Sequence, residues 1–262
     1  MIEIKNLSYK YKNGNKVLNN INLNINKGEF VCIIGKNGSG KSTFSKLLSG
    51  LLPFKDGKII VNGINLKDKK KTLEIRKTIG IVFQNPENQI LFDKVYDDIA
   101  FSLQNLGFSK EQISNIIDDA LNSVNMSEYK NSYTDTLSLG QKQRIAIAST
   151  LAINPNLLIL DEPTTMLDPI NKTAIYKTLN NLHEKSITII YITNNIDEIL
   201  LADRILFFEN GEIKEDFKKE TLLNHLDSLK DFEAPGIISL IKKLSNKQIS
   251  ALNINDFLNI YK

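Results

Sequence analysis

Residues 35–42 read GKNGSGKS, a string of the form G-x-x-x-x-G-K-[ST], and no other feature constrains the fold of this chain as tightly. A loop of that composition wraps its backbone N–H groups around an anion. It does so where a buried strand gives way to a helix, because the helix N-terminus adds its dipole to the loop donors. The flanking residues supply both elements. Phe30–Ile34 (FVCII) is an uninterrupted apolar run of strand length, and KSTFSKLL repeats apolar residues at Phe44, Leu47 and Leu48 with helical spacing. Strand, glycine-rich turn and helix in that order predict an α/β fold with a phosphate held at the edge of a sheet.

The rest of the chain carries the same pattern. Three further apolar runs, 79–83 (IGIVF), 157–160 (LLIL) and 187–192 (ITIIYI), suit a parallel sheet buried on both faces. Ahead of them, Ile2 and Ile4, then Ile21, Leu23 and Ile25, recur with a period of two, which predicts half-buried antiparallel strands. Between 83 and 157, Ile113, Ile116, Ile117, Ala120, Leu121 and Val124 line one helical face, and Ser109 with Gln112 fits a capping box at its start. Asn210-Gly211 marks a hairpin turn between 205–208 and Glu212 onward, and beyond about Phe217 short amphipathic helical patterns replace strand signals. A chain of 262 residues has room for one large α/β domain and a small appendage. The expected division is 1–216, containing a helical subdomain at about 86–152, followed by a helical appendage over 217–262, expected to serve dimerisation.

Composition excludes other classes. With 42% hydrophobic and 24% charged residues the chain reads as an ordinary globular protein, and no apolar run approaches the roughly 20 residues of a membrane-spanning helix. The N-terminal MIEIKNLSYKYK lacks a basic segment followed by an apolar stretch, so a cytosolic location is expected. The single cysteine, Cys32, reads as a small buried hydrophobe and permits no internal disulfide. Net charge is only +3, and its most basic cluster, KDKKK at 67–71, has no interleaved aromatics, so it reads as a solvated loop and no nucleic acid is expected as partner.

The chemistry gathers in two places. Gly35, Lys36, Asn37, Gly38, Ser39, Gly40, Lys41, Ser42 and Thr43 form the expected phosphate cradle. There Lys41 neutralises β- and γ-phosphates, Ser42 offers a hydroxyl oxygen to Mg2+, and Thr43 meets nearby phosphate oxygens. In LLILDEP, Asp161 and Glu162 stand at the end of a buried strand, where α/β sheets bind ligands. Asp161 is expected to hold Mg2+ through its water shell, and Glu162 to orient or deprotonate the water that attacks a γ-phosphate.

Between these motifs lies LSLGQKQR, 137–144, opening a helix that continues as IAIAST, and Gln84 directly follows the strand IGIVF. The first resembles the LSGGQ signature of ABC ATPases and the second that family's Q-loop. With the phosphate loop and the acidic strand they make four features in the family's order, and the resemblance covers about the first 215 residues. It implies a P-loop NTPase of the ABC type: a mixed sheet core, an antiparallel β subdomain and a helical signature subdomain. It also implies ATP and Mg2+ as ligands, ATP hydrolysis, and Gln84 joining Ser42 and Asp161 at the metal and Glu162 in catalysis. Tyr11 would stack on adenine, with Tyr9 the competing candidate because strand alternation puts both on one face. Residues 165–168 match the D-loop, which touches an opposite subunit. In this family two cassettes close face to face, so Ser138, Leu139, Gly140 and Gln141 would meet a nucleotide held by the partner.

Two residues depart from the family pattern. Asn194 stands where the family carries a histidine on the γ-phosphate; an amide can donate one hydrogen bond but no positive charge, and losing such a donor costs about 3 kcal/mol. Leu139 replaces the first signature glycine. If that position demands positive φ the leucine is strained, and if it is ordinary helix the change is mild. The departures imply unequal sites and a partner cassette that is a different chain.

The stretch 85–108, NPENQILFDKVYDDIAFSLQNLGF, resembles the segment of energy-coupling factor (ECF) and cobalt-type importer ATPases that meets a membrane scaffold, with Ile90, Leu91, Phe92 and Phe101 as its apolar contacts. EAPGIISLIKKL at 233–244 resembles that group's dimerisation appendage. The implied protein is an ATP-hydrolysing subunit, peripheral on the cytoplasmic face of the cell membrane. It powers uptake of a vitamin or metal ion through a transmembrane scaffold subunit and a substrate-binding membrane subunit. The alternatives are a weakly hydrolysing regulatory cassette paired with a more active one, and the ATPase of another ABC importer type.

Overall fold

The structure, a computed structural model, describes residues 1–12 and 14–225. The phosphate-loop octet sits between β3 (Phe30–Ile34) and α1 (Lys41–Leu48), as its flanks require. β3 lies in a six-stranded sheet with β6 (Ile79–Val82), β7 (Leu157–Asp161), β8 (Thr188–Thr193), β9 (Arg204–Glu209) and β10 (Glu212–Lys218). The order is β10-β9-β3-β8-β7-β6. All neighbours are parallel except β10, which returns antiparallel along β9 from the Asn210-Gly211 turn, so the sheet is mixed.

The N-terminal strands form a second, antiparallel sheet. β1 (Ile2–Lys10) pairs with β2 (Lys16–Ile25) and β4 (Lys58–Val61), and β5 (Ile64–Asn65) closes the order β2-β1-β4-β5. Alternation along β3 divides its side chains between two cores. Val31 and Ile33 join Phe44, Leu47 and Leu48 of α1 and the buried face of the antiparallel sheet. Phe30, Cys32 and Ile34 face the other way, into a core with the helical segments. A strand with no polar residue thereby buries both faces, which is why five apolar residues in a row are stable here. Cys32 is free and buried, and burial pushes its thiol pKa up.

That second core is built by α3 (Val95–Asn105), α4 (Lys110–Ser123), α5 (Leu139–Ala152) and α6 (Pro169–Glu184). α4 opens with the Ser109/Gln112 capping box expected from sequence, and Ile113, Ile117, Ala120 and Leu121 are buried along its stripe. α2 (Thr72–Thr78) leads into β6, and its Ile75 is buried in the core shared with the antiparallel sheet. Among the described residues no helix is long and apolar enough to cross a membrane.

The strand that follows the Asn210-Gly211 turn continues past position 217. β10 runs through Lys218, with Phe217 buried and paired with Ile205, and a 3₁₀ segment, Lys219–His225, then sends Leu222 into the same core. EIKEDFK alternates too weakly in hydropathy to mark where this strand ends; its partner β9 decides it. Residues 226–262, including 233–244, lie outside the described residues.

The β9–β10 turn is pinned against the phosphate loop. Gly211 N–H donates to Ser39 O at 3.0 Å, and Gly211 O accepts from Asn19 N–H at 2.8 Å. Gly211 has φ +77°, and a Cβ there would stand 2.2 Å from Val17 O. Gly211→Ala is therefore expected to destabilise the protein by about 2 kcal/mol or more. Thermal denaturation should register a fall in Tm of roughly 4–8 °C, and weaker nucleotide binding should accompany it.

Candidate nucleotide site

Parallel pairing brings the ends of four strands to one edge. Ile34 is in register with Thr193, Ile192 with Asp161, and Leu160 with Val82. The residues that follow, the phosphate loop after β3, Asn194 after β8, Glu162 after β7 and Gln84 just past β6, therefore converge. They line a cleft of about 480 Å³ together with Val17, Asn37, Gly38, Gly40, Lys41, Ser42, Thr43 and Thr165.

Lys41 is 4% exposed, and its ammonium donates to Gly35 O at 2.6 Å and Lys36 O at 3.2 Å. Burial lowers its pKa, while the charges of Glu162 and Asp161 oppose that shift. The buried Ser39 Oγ has no hydrogen-bond partner among the described residues and is not among those lining the cleft. Asp161, 7% exposed, accepts from Ser42 Oγ at 3.2 Å and from Ser45 Oγ at 2.9 Å, one hydroxyl on each carboxylate oxygen. Burial pushes its pKa up and those two hydrogen bonds pull it back.

This donor set fits Mg2+. Ser42 and Asp161 adjoin each other beside the loop, and among the described residues no cluster of three or more His, Cys, Asp or Glu forms an all-protein cage. An ion that prefers a few protein oxygens plus phosphates and water suits such a site.

Glu162 leaves β7 with φ +50°, uncommon for a residue with a side chain, and its N–H is held by Ile192 O at 2.8 Å. The left-handed turn takes the carboxylate out of the sheet and into the cleft. There Glu162 Oε2 accepts from Gln84 Nε2 at 3.1 Å and Thr165 Oγ1 at 3.3 Å. Its pKa is raised chiefly by burial, against the pull of Lys41. Gln84 is itself fixed through its neighbour. Phe83 N–H donates to Gln89 Oε1 at 3.1 Å, and Phe83 O accepts from the buried Gln143 of α5 at 3.2 Å.

The two tyrosine candidates separate. Tyr9 packs against the core, whereas Tyr11 is 36% exposed and its hydroxyl lies 3.1 Å from Thr43 Oγ1, at the rim of the cleft. The rings meet edge to face at 5.0 Å. On this side the cleft wall is Val17 of β2, which the sequence reading missed because one valine at a strand start carries no mark. Ser45 was also missed, although its spacing of three from Ser42 on a helix puts both hydroxyls on one face.

The signature residues stand elsewhere. Ser138, Leu139, Gly140 and Gln141 form the N-terminus of α5, and none of them is among the cleft-lining residues. Ser138 and Gln141 build a second capping box: Ser138 Oγ accepts from Gln141 N–H at 3.3 Å, and Gln141 Oε1 from Ser138 N–H at 2.8 Å. Leu139 is the first helical residue and has no positive φ, so of the two alternatives for this substitution the mild one holds. The position that requires glycine is 140, where a Cβ would lie 2.3 Å from Asn171 Cγ. Asn171 is held in place by Asp168, the N-cap of α6, through bonds of 3.0 and 2.6 Å.

The chain is similar to known proteins in sequence and in fold. Residues 18–165 match the family model described as "ABC transporter". The "Energy-coupling factor transporter ATP-binding protein EcfA1" of Fusobacterium nucleatum subsp. nucleatum is 49% identical over 214 residues, 82% of this chain and 81% of that protein. The protein of the same description from Clostridium novyi is 41% identical over 99% of this chain and 95% of its own length. Among solved structures, cbiO1 from Clostridium perfringens, described as part of the ABC transporter complex cbiONQ, superposes with a TM-score of 0.80. It is 33% identical and covers 92% of this chain and 98% of that one. A dimeric ATP-binding cassette in a post-hydrolysis state bound to ADP and Pi matches with a TM-score of 0.76 at 31% identity, covering 83% of this chain and 98% of that one.

The surroundings of Glu162 generate a pH expectation. A general base works only when ionised, and burial places this pKa above the ordinary glutamate value of 4.5. At limiting nucleoside triphosphate, kcat/KM should thus fall as pH is lowered through the raised pKa and reach a plateau above it. Glu162→Gln should reduce kcat by about a hundredfold or more and remove that acidic limb; kcat/KM measured against pH for both proteins checks this.

Proposed function

Because the chain belongs to the ABC transporter ATP-binding family, whose model spans more than half of it, we propose that its cleft hydrolyses Mg·ATP to power an importer from the cytoplasmic face of the cell membrane. It is an ATPase of the energy-coupling factor type. The observation that carries the mechanism is the convergence of Lys41, Ser42, Gln84, Glu162 and Asn194 on one cleft at the ends of parallel strands.

In this reading the loop N–H groups and Lys41 bind the β- and γ-phosphates, and Tyr11 receives adenine at the rim. Ser42 Oγ, Asp161 and Gln84 would hold Mg2+, which would neutralise charge on the phosphate oxygens. Glu162, steadied by Gln84 and Thr165, orients the attacking water and takes its proton. Asn194 donates a neutral amide hydrogen bond toward the γ-phosphate.

The site is completed by a second cassette. Because Ser138 Oγ accepts from Gln141 N–H, its own hydroxyl proton is available to an incoming phosphate, beside the positive end of α5. Met166, 51% exposed within the 165–168 segment, and Ile170, 83% exposed just beyond it, suit coverage by that cassette. Asn194 favours a partner that is a different chain with a fuller site, and it also supports a second reading, in which this chain is the weakly hydrolysing, regulatory member of the pair. For the membrane scaffold, Leu91, Phe92 and Phe101 offer an apolar patch, with Leu91 71% exposed and the two rings 5.1 Å apart, while Ile90 packs on the core. The cargo, a vitamin or a metal ion, is taken by a separate substrate-binding membrane subunit.

Purification through a tag on this chain, from membranes, should bring down a homologous cassette and a membrane scaffold. In that complex Asn194→His should raise Mg-ATPase turnover by about tenfold to a hundredfold by restoring a chargeable donor, whereas Leu139→Gly should change it by less than about twofold. Absence of any membrane protein, together with full turnover in Glu162→Gln, would withdraw both the transport and the hydrolytic assignments.

A further inference from the structure

We propose that Glu198 is a positioning residue that locks the Glu162 turn and the Asn194 turn into one fixed arrangement by accepting hydrogen bonds from four hydroxyls at once. It lies in the 3₁₀ segment Ile196–Leu201 after β8 and is 3% exposed. Oε1 accepts from Thr164 Oγ1 at 2.6 Å and Tyr176 OH at 2.7 Å. Oε2 accepts from Tyr191 OH at 3.1 Å and from Thr193 Oγ1. An ionised carboxylate offers about four lone-pair sites, and they are filled by hydroxyls from three places in the fold: the turn after β7, α6 and the end of β8.

The donors identify what is being held. Thr164 is two residues beyond Glu162 in the turn that also carries Thr165. Thr193 immediately precedes Asn194, and its Oγ1 accepts from Asn195 N–H at 2.9 Å, closing the chain over Asn194. Tyr191 is inside β8, and Tyr176 belongs to α6, the helix whose N-terminal Asn171 meets Gly140 of the signature. A carboxylate this buried is a poor device for stability alone, since apolar residues would fill the space without desolvating a charge. Its hydrogen bonds instead specify the relative placement of two short turns on separate strands. Glu198 is not among the residues lining the cleft and acts through the groups it fastens.

This inference rests on the hydrolytic reading of the cleft. It is tested in the purified complex with Glu198→Gln and Thr164→Val, using Glu162→Gln as a control. An amide has one acceptor oxygen in place of two, and valine removes one donor of the four while keeping its shape. Each variant should lower kcat, by about tenfold for Glu198→Gln and several-fold for Thr164→Val. KM for ATP and the affinity for a fluorescent ATP analogue should stay within about twofold. Combined with Glu162→Gln, Glu198→Gln should cause almost no further loss, because groups that act as a unit are non-additive. Should Glu198→Gln fold poorly, Thr164→Val decides the matter. Unchanged kcat in a folded variant, or a parallel loss of kcat, nucleotide affinity and Tm, overturns the proposal. If Glu162→Gln itself keeps full turnover, the hydrolytic reading fails first.

Discussion

Register between parallel strands governs this molecule. Pairing Ile34 with Thr193, Ile192 with Asp161, and Leu160 with Val82 forces four chain segments to leave the sheet side by side. Residues separated by more than a hundred positions in sequence become neighbours as a result. A slip of one residue in any of these ladders would turn its side chains to the opposite face and separate Asp161 from Ser42 and Ser45. The buried alternation of β3, which splits its residues between two cores, is what forbids the slip.

That same packing places charge where water is scarce. Lys41, Asp161 and Glu162 are all shifted toward their neutral forms by burial, the lysine downward and the two acids upward. A polyanion accompanied by a divalent cation answers all three: phosphate favours the charged ammonium, and the metal favours the ionised carboxylates. The cleft is electrostatically complementary to the pair of ligands together. Glu198 shows the contrasting solution, a buried acid whose need is met inside the protein by four hydroxyls.

Sequence disclosed the features whose causes are local. The octet 35–42, the apolar strands, the Ser109/Gln112 cap and the Asn210-Gly211 turn depend on residues within a few positions of one another, and they stand where the sequence put them. What sequence left open depended on tertiary neighbours. Whether Leu139 is tolerated turned on where α5 begins, and Tyr9 and Tyr11 could be told apart only once the core claimed one of them. The reach of β10 follows from its partner β9. Ser45, Val17, Gln89, Gln143 and Glu198 act through contacts across the fold, and Glu198 in particular sits among isoleucines and leucines that gave no hint of the hydroxyls gathered around it.

The contact between Gly140 and Asn171 bears on how such chains are recognised and altered. In a signature read as letters, the two glycines of LSGGQ look equivalent, and a pattern demanding both would discard this chain for its Leu139. In space they are not equivalent: the first residue begins a helix and tolerates bulk, while the second has a carboxamide where its side chain would go. A steric criterion, room for Asn171 beside the second position, keeps chains that the pattern rejects. It also tells a protein engineer which of the two positions is free for a label.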